Sequence, residues 1–234
     1  MNQAFFTFAE IFTLDIIHPQ IQAYAEYLST PEDELLNEIG IYTKKNHPEH
    51  HMLSGHLQGK LLEMISRMIQ PKRILEIGTF TGYSALSLAK GLSNDGVLHT
   101  IELREKDAAI AKEFFNRSSF AEQIILHTGN ALDVIPFLNE DWDLVFIDAD
   151  KVSYIEYFKI VLPQVRQNGF ILADNIFFHG EVLADEVKAR PNGSSGLSKS
   201  AKAIQEFNAF IRERNDIDKM VITLRDGLYL IRKL

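Results

Sequence analysis

The stretch LVFIDADK, residues 144–151, decides how the rest of the chain is interpreted. Its first four residues are apolar without alternation, which is typical of a strand buried on both faces of a helix-covered parallel sheet. Asp148, Asp150 and Lys151 follow, and such charges are costly to bury unless they are paired, bind a metal or line a cleft. In open α/β sheets, the cleft lies outside the carboxyl ends of the strands. The sequence therefore predicts that this stretch borders an active site.

Four other apolar segments look like strands, and helical patterns lie between consecutive segments. With the first stretch they cover residues 73–78, 97–103, 124–129, 144–150 and 169–175. Alternation of this kind is typical of right-handed βαβ units and of a parallel sheet. Residues 220–233 differ, because they form two strand-like runs joined at Asp226-Gly227, a signal for a tight hairpin. We predict an α/β fold in which an antiparallel pair completes a mostly parallel sheet.

We predict a single domain of 234 residues, since the sequence shows no internal repeat and no sign of a second domain. Residues 1–70 look helical and are expected to cover an active site built by residues 71–234. The polar residues 185–200 are rich in Gly and Ser and are predicted to form a mobile surface loop. Aromatic residues near the N-terminus pack either on a partner subunit or within their own chain; they are Phe5, Phe6, Phe8 and Phe12.

Composition excludes several classes of protein. A net charge of −8 argues against a nucleic-acid partner, because phosphate contacts need clustered Lys and Arg. No apolar run is long enough to span a bilayer, and the N-terminus lacks the basic residues of a signal peptide. The absence of cysteine excludes disulfides and thiolate catalysis, and it fits a cytoplasmic protein. Any metal must therefore be bound by oxygen or imidazole.

A glycine-containing turn follows the first predicted strand. In LEIGTFTGYSAL, residues 75–86, Gly78 and Gly82 allow a tight turn that leads into a helix N-terminus with free N–H groups. The pattern is one glycine short of a dinucleotide fingerprint and lacks the Lys of a P-loop. Glu102 ends the second strand about 20 residues later, where a carboxylate can hold ribose hydroxyls. An ordinary turn beside a solvated Glu is the alternative, but the combination favours nucleoside binding.

Acidic and amide side chains end two further strands. Asp148 ends the fourth strand, and Asp174 and Asn175 end the fifth. If these strands are neighbours, three oxygen donors converge at one edge of the sheet. Hard oxygen ligands in a partly open site suit Mg²⁺, or else Mn²⁺ or Ca²⁺. The alternative for each isolated Asp is capping of the next helix.

Four motifs together resemble one enzyme family. EIGTFTGYSAL (76–86), IEL (101–103), FIDADK (146–151) and LADN (172–175), in this order, resemble the small cation-dependent O-methyltransferases that act on catechol and caffeoyl-coenzyme A and use S-adenosylmethionine. The resemblance covers roughly residues 50–234. It implies a Rossmann-like methyltransferase fold with a seven-stranded, mostly parallel sheet, an antiparallel last strand and helices on both faces. It also implies methyl transfer to a hydroxyl of a catechol-like or other vicinal-dihydroxy aromatic acceptor. We also predict a homodimer.

The resemblance further implies which residues contact the cofactor and the cation. It assigns the S-adenosylmethionine contacts to Met52, Ser54, Glu76, Gly78, Tyr83, Ser84, Glu102, Asn130, Ala131 and Asp148. It assigns the divalent cation to Asp148, Asp174 and Asn175. Asn130 stays ambiguous, because many relatives have an acidic residue there and a turn former after Gly129 would serve equally well.

The resemblance nominates Lys151 as the general base and places Asp148 beside it in the catalytic centre. A phenol titrates at about pH 10, so the acceptor is mostly protonated at neutral pH and its proton must be removed. We expect the pKa of a lysine beside a bound cation to be lowered, because like charge disfavours the protonated form. Asp150 receives no catalytic role.

Two other functions remain open from the residues alone. A nicotinamide-dependent oxidoreductase would use Gly78, Gly82 and Glu102 but would leave the acidic strand ends and Lys151 without a role. A non-catalytic cofactor-binding protein would not need those residues either. Cofactor binding and metal-dependent turnover separate these functions from a methyltransferase.

Histidines form a second candidate cluster. His47, His50, His51 and His56 lie in an irregular stretch without an H-E-x-x-H pattern, so we favour a polar loop over a zinc site. His179 is either a substrate contact or an ordinary loop residue.

Overall fold

The computed structural model of the protein describes residues 17–183 and 197–234. The strands are β1 (Arg73–Ile77), β2 (Val97–Glu102), β3 (Ile124–Thr128), β4 (Trp142–Ile147), β5 (Val165–Asp174), β6 (Ile217–Ile222) and β7 (Leu228–Lys233). The helices are α1 (Pro19–Leu28), α2 (Glu34–Asn46), α3 (His56–Ile69), α4 (Tyr83–Ala89), α5 (Glu105–Asn116), α6 (Ala131–Val134), α7 (Tyr154–Val161) and α8 (Lys199–Arg212).

All seven strands form one sheet in the order β3-β2-β1-β4-β5-β7-β6. Strands β1 to β5 pair in parallel, and β7 is antiparallel to both β5 and β6. The predicted seven-stranded sheet with an antiparallel last strand is therefore confirmed. The strand order reverses between β1 and β4, where Ile77 pairs with Ile147. A reversal of this kind opens a cleft at the carboxyl ends of the strands.

Apolar side chains cover both faces of the sheet. On β4, Val145 and Ile147 belong to one core cluster, and Leu144 and Phe146 belong to the other. Alternation within one strand places the two clusters on opposite faces. The first cluster includes residues of α7 and α8, and the second includes residues of α3, α4 and α5. The prediction of helices on both faces is confirmed.

The loop between β6 and β7 is wider than the predicted tight turn. It covers residues 223–227 and is not a two-residue turn at Asp226 and Gly227. Gly227 has a left-handed backbone with φ 79°, as a turn residue would. However, the carbonyl of Asp226 accepts a hydrogen bond from the Phe177 N–H at 2.9 Å. This long-range bond to the chain after β5 shapes the loop, and the local sequence gives no sign of it.

The predictions for residues 1–70 and for the surface loop at 185–200 have different outcomes. Helices α1, α2 and α3 confirm the helical character of the described part of residues 1–70. The N-terminal phenylalanines, and residues 185–196 of the predicted surface loop, lie outside the described residues. The prediction that this loop extends to residue 200 is wrong at its end, because α8 already begins at Lys199 with Ser198 as its N-cap. Within residues 17–183 and 197–234, no helix is both long enough and apolar enough to cross a bilayer.

Candidate active site

A cavity of about 920 Å³ lies at the carboxyl ends of β1, β2, β4 and β5. Every predicted site residue except Glu76 lines it: Met52, Ser54, Gly78, Tyr83, Ser84, Glu102, Asn130, Ala131, Asp148, Lys151, Asp174 and Asn175. They meet because parallel strands end at one edge of the sheet and the chain before α3 crosses that edge. The structure thus brings the predicted residues together, while the role of each stays a prediction.

The turn after β1 requires glycine at Gly78. Its φ is 102°, and an added Cβ would lie 2.0 Å from the carbonyl oxygen of Asp148. No side chain fits at that distance, so the turn can approach the end of β4 this closely only with glycine. Gly82, with φ 91°, then begins α4 in the left-handed conformation. The close approach places the helix N-terminus of α4 and the acidic end of β4 in one cavity.

Glu102 is buried at the end of β2, and both of its carboxylate oxygens accept backbone hydrogen bonds. Oε2 accepts from the Phe80 N–H at 2.7 Å, and Oε1 accepts from the Arg104 N–H at 2.9 Å. An ionised carboxylate has about four acceptor positions, so acceptor capacity is left for a ligand. The position agrees with the predicted contact to ribose hydroxyls.

Glu76 lies beneath the turn, is fully buried and does not line the cavity. Its Oε2 accepts from Thr100 Oγ1 at 2.5 Å, while Oε1 has no hydrogen-bond partner. Burial raises the pKa of the Glu76 carboxyl to about 8, although the neighbouring hydroxyls of Ser84 and Thr100 lower it. A buried oxygen without a partner is costly and calls for an explanation. A cationic ligand group, such as the ammonium of an amino acid, would satisfy it.

The ends of β4 and β5 converge as predicted, since Ile147 pairs with Ala173 in the parallel register. Asp174 is buried, and its Oδ1 accepts a hydrogen bond from the Asn175 N–H at 2.8 Å. Burial, followed by the charge of Asp148, raises the pKa of the Asp174 carboxyl to about 7. The carboxyl groups of Asp148 and Asp174 are therefore close enough for their like charges to disfavour each other.

The donor set fits a hard divalent cation if Asn175 is the third ligand. Carboxylate and amide oxygens suit Mg²⁺, Mn²⁺ or Ca²⁺, and a cation would relieve the repulsion between Asp148 and Asp174. In the part of the chain that the structure describes, no group of three or more His, Cys, Asp or Glu residues could hold a metal ion. A cation would thus depend on the amide of Asn175 and on water or acceptor oxygens.

Lys151 lies at the centre of a partly buried group of polar side chains. Its Nζ donates to Asp148 Oδ1 at 2.9 Å and to the Tyr154 hydroxyl at 2.8 Å. Burial lowers the pKa of Lys151, but Tyr154, Asp148 and Asp174 together outweigh burial and raise it. The predicted lowering of the lysine pKa concerns the site with a bound cation and stays a prediction; the protein groups by themselves favour the protonated amine.

Other predicted residues have structural partners. Asn130 caps α6, its side chain accepting from the Leu132 N–H at 2.9 Å, as the turn-former alternative predicts. Asp150 caps the turn before α7 and accepts a hydrogen bond from the Tyr157 hydroxyl, which agrees with a non-catalytic role.

The histidines of the predicted cluster contact different parts of the protein. His47 Nε2 lies 3.1 Å from Asp107 Oδ1, and His56 Nε2 lies 2.7 Å from the Thr30 carbonyl oxygen. His51 lines the cavity. His179 also lines it, and its backbone N–H donates to Asp226 Oδ1 at 2.6 Å.

The sequence-based prediction missed three residues that contact the site. Tyr154 binds Lys151 and lies three residues after it, a helical spacing that could have indicated the contact. Gln58 binds Asp174, and Arg225 binds Gln58. No local pattern indicates these last two contacts, because each joins distant parts of the chain.

Comparison with known proteins identifies the family. A family model described as O-methyltransferase matches residues 26–234, which is most of the chain. The chain belongs to the O-methyltransferase family. A catechol O-methyltransferase from Niastella koreensis is 35% identical over 171 residues, covering 71% of this chain and 73% of the relative. Caffeoyl-CoA O-methyltransferase 2 from Petunia hybrida is 33% identical over 213 residues, covering 87% of this chain and 85% of the relative.

Solved structures agree with this O-methyltransferase assignment. A methyltransferase from Podospora anserina with bound S-adenosylhomocysteine has a TM-score of 0.81 and 30% identity, covering 92% of this chain and 94% of that chain. The protein is therefore an S-adenosylmethionine-dependent O-methyltransferase of the catechol and caffeoyl-CoA type. The predicted family and enzyme class are confirmed, and the nicotinamide-dependent and non-catalytic alternatives are wrong.

Proposed function

We propose that this O-methyltransferase depends on a divalent cation and methylates a hydroxyl of an aromatic acceptor with vicinal hydroxyls. Mg²⁺ is the preferred cation, and Mn²⁺ or Ca²⁺ are alternatives. The observation that carries the proposal is that Asp148, Asp174 and Asn175 share one cavity with Glu102 and Lys151. The names of the two relatives, catechol and caffeoyl-CoA O-methyltransferase, support an aromatic acceptor.

The methyl donor would lie along the ends of β1 and β2. Glu102 would accept hydrogen bonds from the ribose hydroxyls, and the unpartnered Oε1 of Glu76 would accept one from the ammonium. The turn at Gly78 allows close approach of the backbone. Other contacts would come from Met52, Ser54, Tyr83 and Ser84, with Asn130 and Ala131 at the adenine. Such positioning for in-line transfer can contribute about 7–11 kcal/mol to the rate.

The acceptor would lie at the ends of β4 and β5. Asp148, Asp174 and Asn175 would hold the cation, which when bound supplies positive charge that stabilises a developing oxyanion. The protonated amine of Lys151 would be disfavoured by the like charge of a cation held beside it, and the neutral Nζ, fixed by Asp148 and Tyr154, would then receive the proton of the acceptor hydroxyl. A positioned base of this kind typically contributes about 10²–10⁴-fold.

Cation dependence can be tested by removing the cation and by removing one ligand. Excess EDTA should abolish turnover, and Mg²⁺ or Mn²⁺ should restore it. Asp174→Ala should lose turnover while still binding S-adenosylmethionine, because the residues proposed for the cofactor lie on other strands. Asp218→Ala, at an exposed carboxylate paired with Arg232, is the matched control and should behave as wild type. Full activity in excess EDTA would contradict the proposal.

The acceptor class can be tested with methyl-labelled S-adenosylmethionine. Catechols, hydroxycinnamoyl thioesters and flavonoids with vicinal hydroxyls should be methylated. The same rings with one hydroxyl removed should be poor acceptors. Equal turnover of mono- and dihydroxy compounds would contradict a vicinal-dihydroxy acceptor.

A homodimer is also part of the proposal. Helix α1 has no buried residue, and Tyr24 and Tyr27 are 63% and 82% exposed. Apolar exposure of this extent is typical of an interaction surface. Light scattering of the wild type should give twice the mass of one chain, and Tyr27→Ser should weaken association; a monomer at all concentrations would contradict this. The cytoplasmic location stays a prediction from the sequence.

A further inference from the structure

Hydrogen bonds connect the N-terminal helices to the acidic end of β5. Gln58, on α3, donates from Nε2 to Asp174 Oδ2 at 2.5 Å. Its Oε1 accepts a hydrogen bond from Arg225 Nη1 at 3.0 Å. Gln58 and Asp174 are each only 3% exposed, so the Gln58 NH₂ and Asp174 Oδ2 that form this bond would be costly to leave unpaired. The three residues come from α3, β5 and the β6–β7 loop, which are distant in the chain.

The chemistry of the partners fixes which way the amide of Gln58 points. A guanidinium has donors and no acceptor, whereas an ionised carboxylate has acceptors and no donor. The oxygen of Gln58 must therefore face Arg225, and the nitrogen must face Asp174. A flipped amide would place two donors together and two acceptors together. Arg225 thus orients Gln58, and Gln58 in turn holds Asp174.

Arg225 also binds the chain segment that precedes α3. The same Nη1 donates to the carbonyl of Ser54, which lines the cavity. Arg225 has a left-handed backbone with φ 49°, which is uncommon for a residue other than glycine. A conformation of this kind persists where the surrounding contacts over-determine it, and it is found most often at functional sites. The guanidinium therefore ties the β6–β7 loop to the cover over the cavity.

Each oxygen of Asp174 accepts one hydrogen bond in this arrangement. Oδ2 accepts from Gln58, and Oδ1 accepts from the Asn175 N–H at 2.8 Å. Two donors, one on each oxygen, fix the plane of the carboxylate. An ionised carboxylate has about four acceptor positions, so each oxygen keeps one for a further ligand. The orientation of the Asp174 carboxylate plane decides whether these remaining acceptor positions point toward Asp148 and Asn175.

We propose that Gln58 and Arg225 are positioning residues for the cation site, and that they hold Asp174 in its ligating orientation. This inference rests on the cation site of the proposed function. Partners that orient a metal ligand typically contribute about 10–100-fold to metal affinity. Loss of the amide should therefore weaken cation binding even in the absence of an acceptor. The competing account is that Gln58 and Arg225 serve only to pack α3 against the β6–β7 loop.

The two accounts differ in what happens to cation affinity per folded molecule. Gln58→Met keeps a side chain of similar length but removes both hydrogen bonds. Ser66→Ala is the matched control, because Ser66 is also buried on α3, and its hydroxyl donates to the Leu88 carbonyl at 2.6 Å, away from the cavity. Both variants should lower the melting temperature. A role in packing alone predicts unchanged cation affinity in both.

The experiment titrates the purified protein with Mn²⁺ in the absence of acceptor. Electron paramagnetic resonance measures the free ion, and calorimetry measures binding independently. We expect Gln58→Met to weaken Mn²⁺ binding about 10–100-fold and Ser66→Ala to leave it unchanged. Arg225→Met should give a smaller loss in the same direction, and Arg225→Lys, which keeps one donor, should recover part of it. The arginine variants provide the test if Gln58→Met fails to fold.

The outcomes separate this inference from the proposed function. Wild type that binds no Mn²⁺, or binds it equally after Asp148→Ala, would overturn both. The positioning role alone would be overturned if wild type binds Mn²⁺ through Asp148 and the Mn²⁺ affinities of Gln58→Met and of both arginine variants stay within about twofold of wild type. Equal losses in Gln58→Met and Ser66→Ala would also overturn it, because a general destabilisation would then account for both.

Discussion

Replacement of Glu76 by Gln tests the buried carboxylate under the glycine turn. Glu76→Gln keeps the size of the side chain and an oxygen for Thr100, but it cannot ionise. The wild-type carboxyl has a pKa of about 8 in place of 4.5, because burial and the charges of Asp148 and Glu102 raise it more than the neighbouring hydroxyls of Ser84 and Thr100 lower it. The folded protein thus keeps a proton on Glu76 in a range where the unfolded chain has lost it.

The sign of the stability effect follows from this difference. Between pH 4.5 and 8 the folded state binds more protons than the unfolded state, so Glu76 makes the free energy of unfolding fall as the pH rises. Each pKa unit corresponds to 1.36 kcal/mol, so the loss is on the order of 5 kcal/mol above pH 8. Below pH 4.5 the loss is absent. Glu76→Gln should therefore gain stability relative to wild type as the pH rises.

The same substitution should weaken binding of S-adenosylmethionine. A hydrogen bond to a charged group contributes about 1.5–3 kcal/mol, which is about 10–100-fold in affinity. Because Glu76 is mostly protonated at pH 7, cofactor binding to the wild type should release close to one proton from it. Calorimetry in buffers of different ionisation enthalpy measures this release, which Glu76→Gln should abolish.

Two assays therefore examine one carboxyl group. Chemical denaturation of wild type and Glu76→Gln from pH 5 to 9 gives the difference between their free energies of unfolding. The contributions of all other titrating groups cancel in this difference. A difference that stays constant over this range would refute the raised pKa. Unchanged cofactor affinity and unchanged proton release would refute the contact between Glu76 and the ammonium.

Three other substitutions test neighbouring features. Glu102→Ala should bind S-adenosylmethionine at least about tenfold more weakly in calorimetry, because a charged acceptor for ribose is lost; unchanged affinity would place the ribose elsewhere. Lys151→Ala should keep the fold and the cofactor affinity, while turnover falls about 10²–10⁴-fold. The loss should be smaller for an acidic acceptor such as a nitrocatechol, because its hydroxyl is already ionised. Equal losses across substituted catechols would remove Lys151 from the role of base. Gly78→Ala should lower the free energy of unfolding by at least about 2 kcal/mol, because its Cβ would meet the Asp148 carbonyl. Gly55→Ala is the control, since Gly55 has φ 75° but no atom within 4 Å of an added Cβ; equal losses in denaturation would contradict the steric argument.

The sequence by itself determined the sheet and the place of the site. Unalternating apolar runs such as LVFI predict strands buried on both faces, and the structure confirms them. Charged residues at the strand ends marked the edge where the cavity lies, because the carboxyl ends of parallel strands must meet there. Gly78, Glu102 and Asp148 could be found in this way, since turn geometry and strand ends are local properties of the chain.

Only the tertiary structure decided the contacts and charges of the site. Gln58 contacts Asp174, which lies 116 positions away in the chain, and Arg225 contacts Gln58 from 167 positions away. No local pattern in the sequence records such contacts. The raised pKa of Lys151 has no local signal in the sequence, because Tyr154, Asp148 and Asp174, which come from α7 and two strand ends, surround the amine. The unpartnered oxygen of Glu76 likewise depends on what packs around it. Hydrogen-bond partners and pKa values depend on distances in space and on burial, which follow from the folded arrangement of the whole chain.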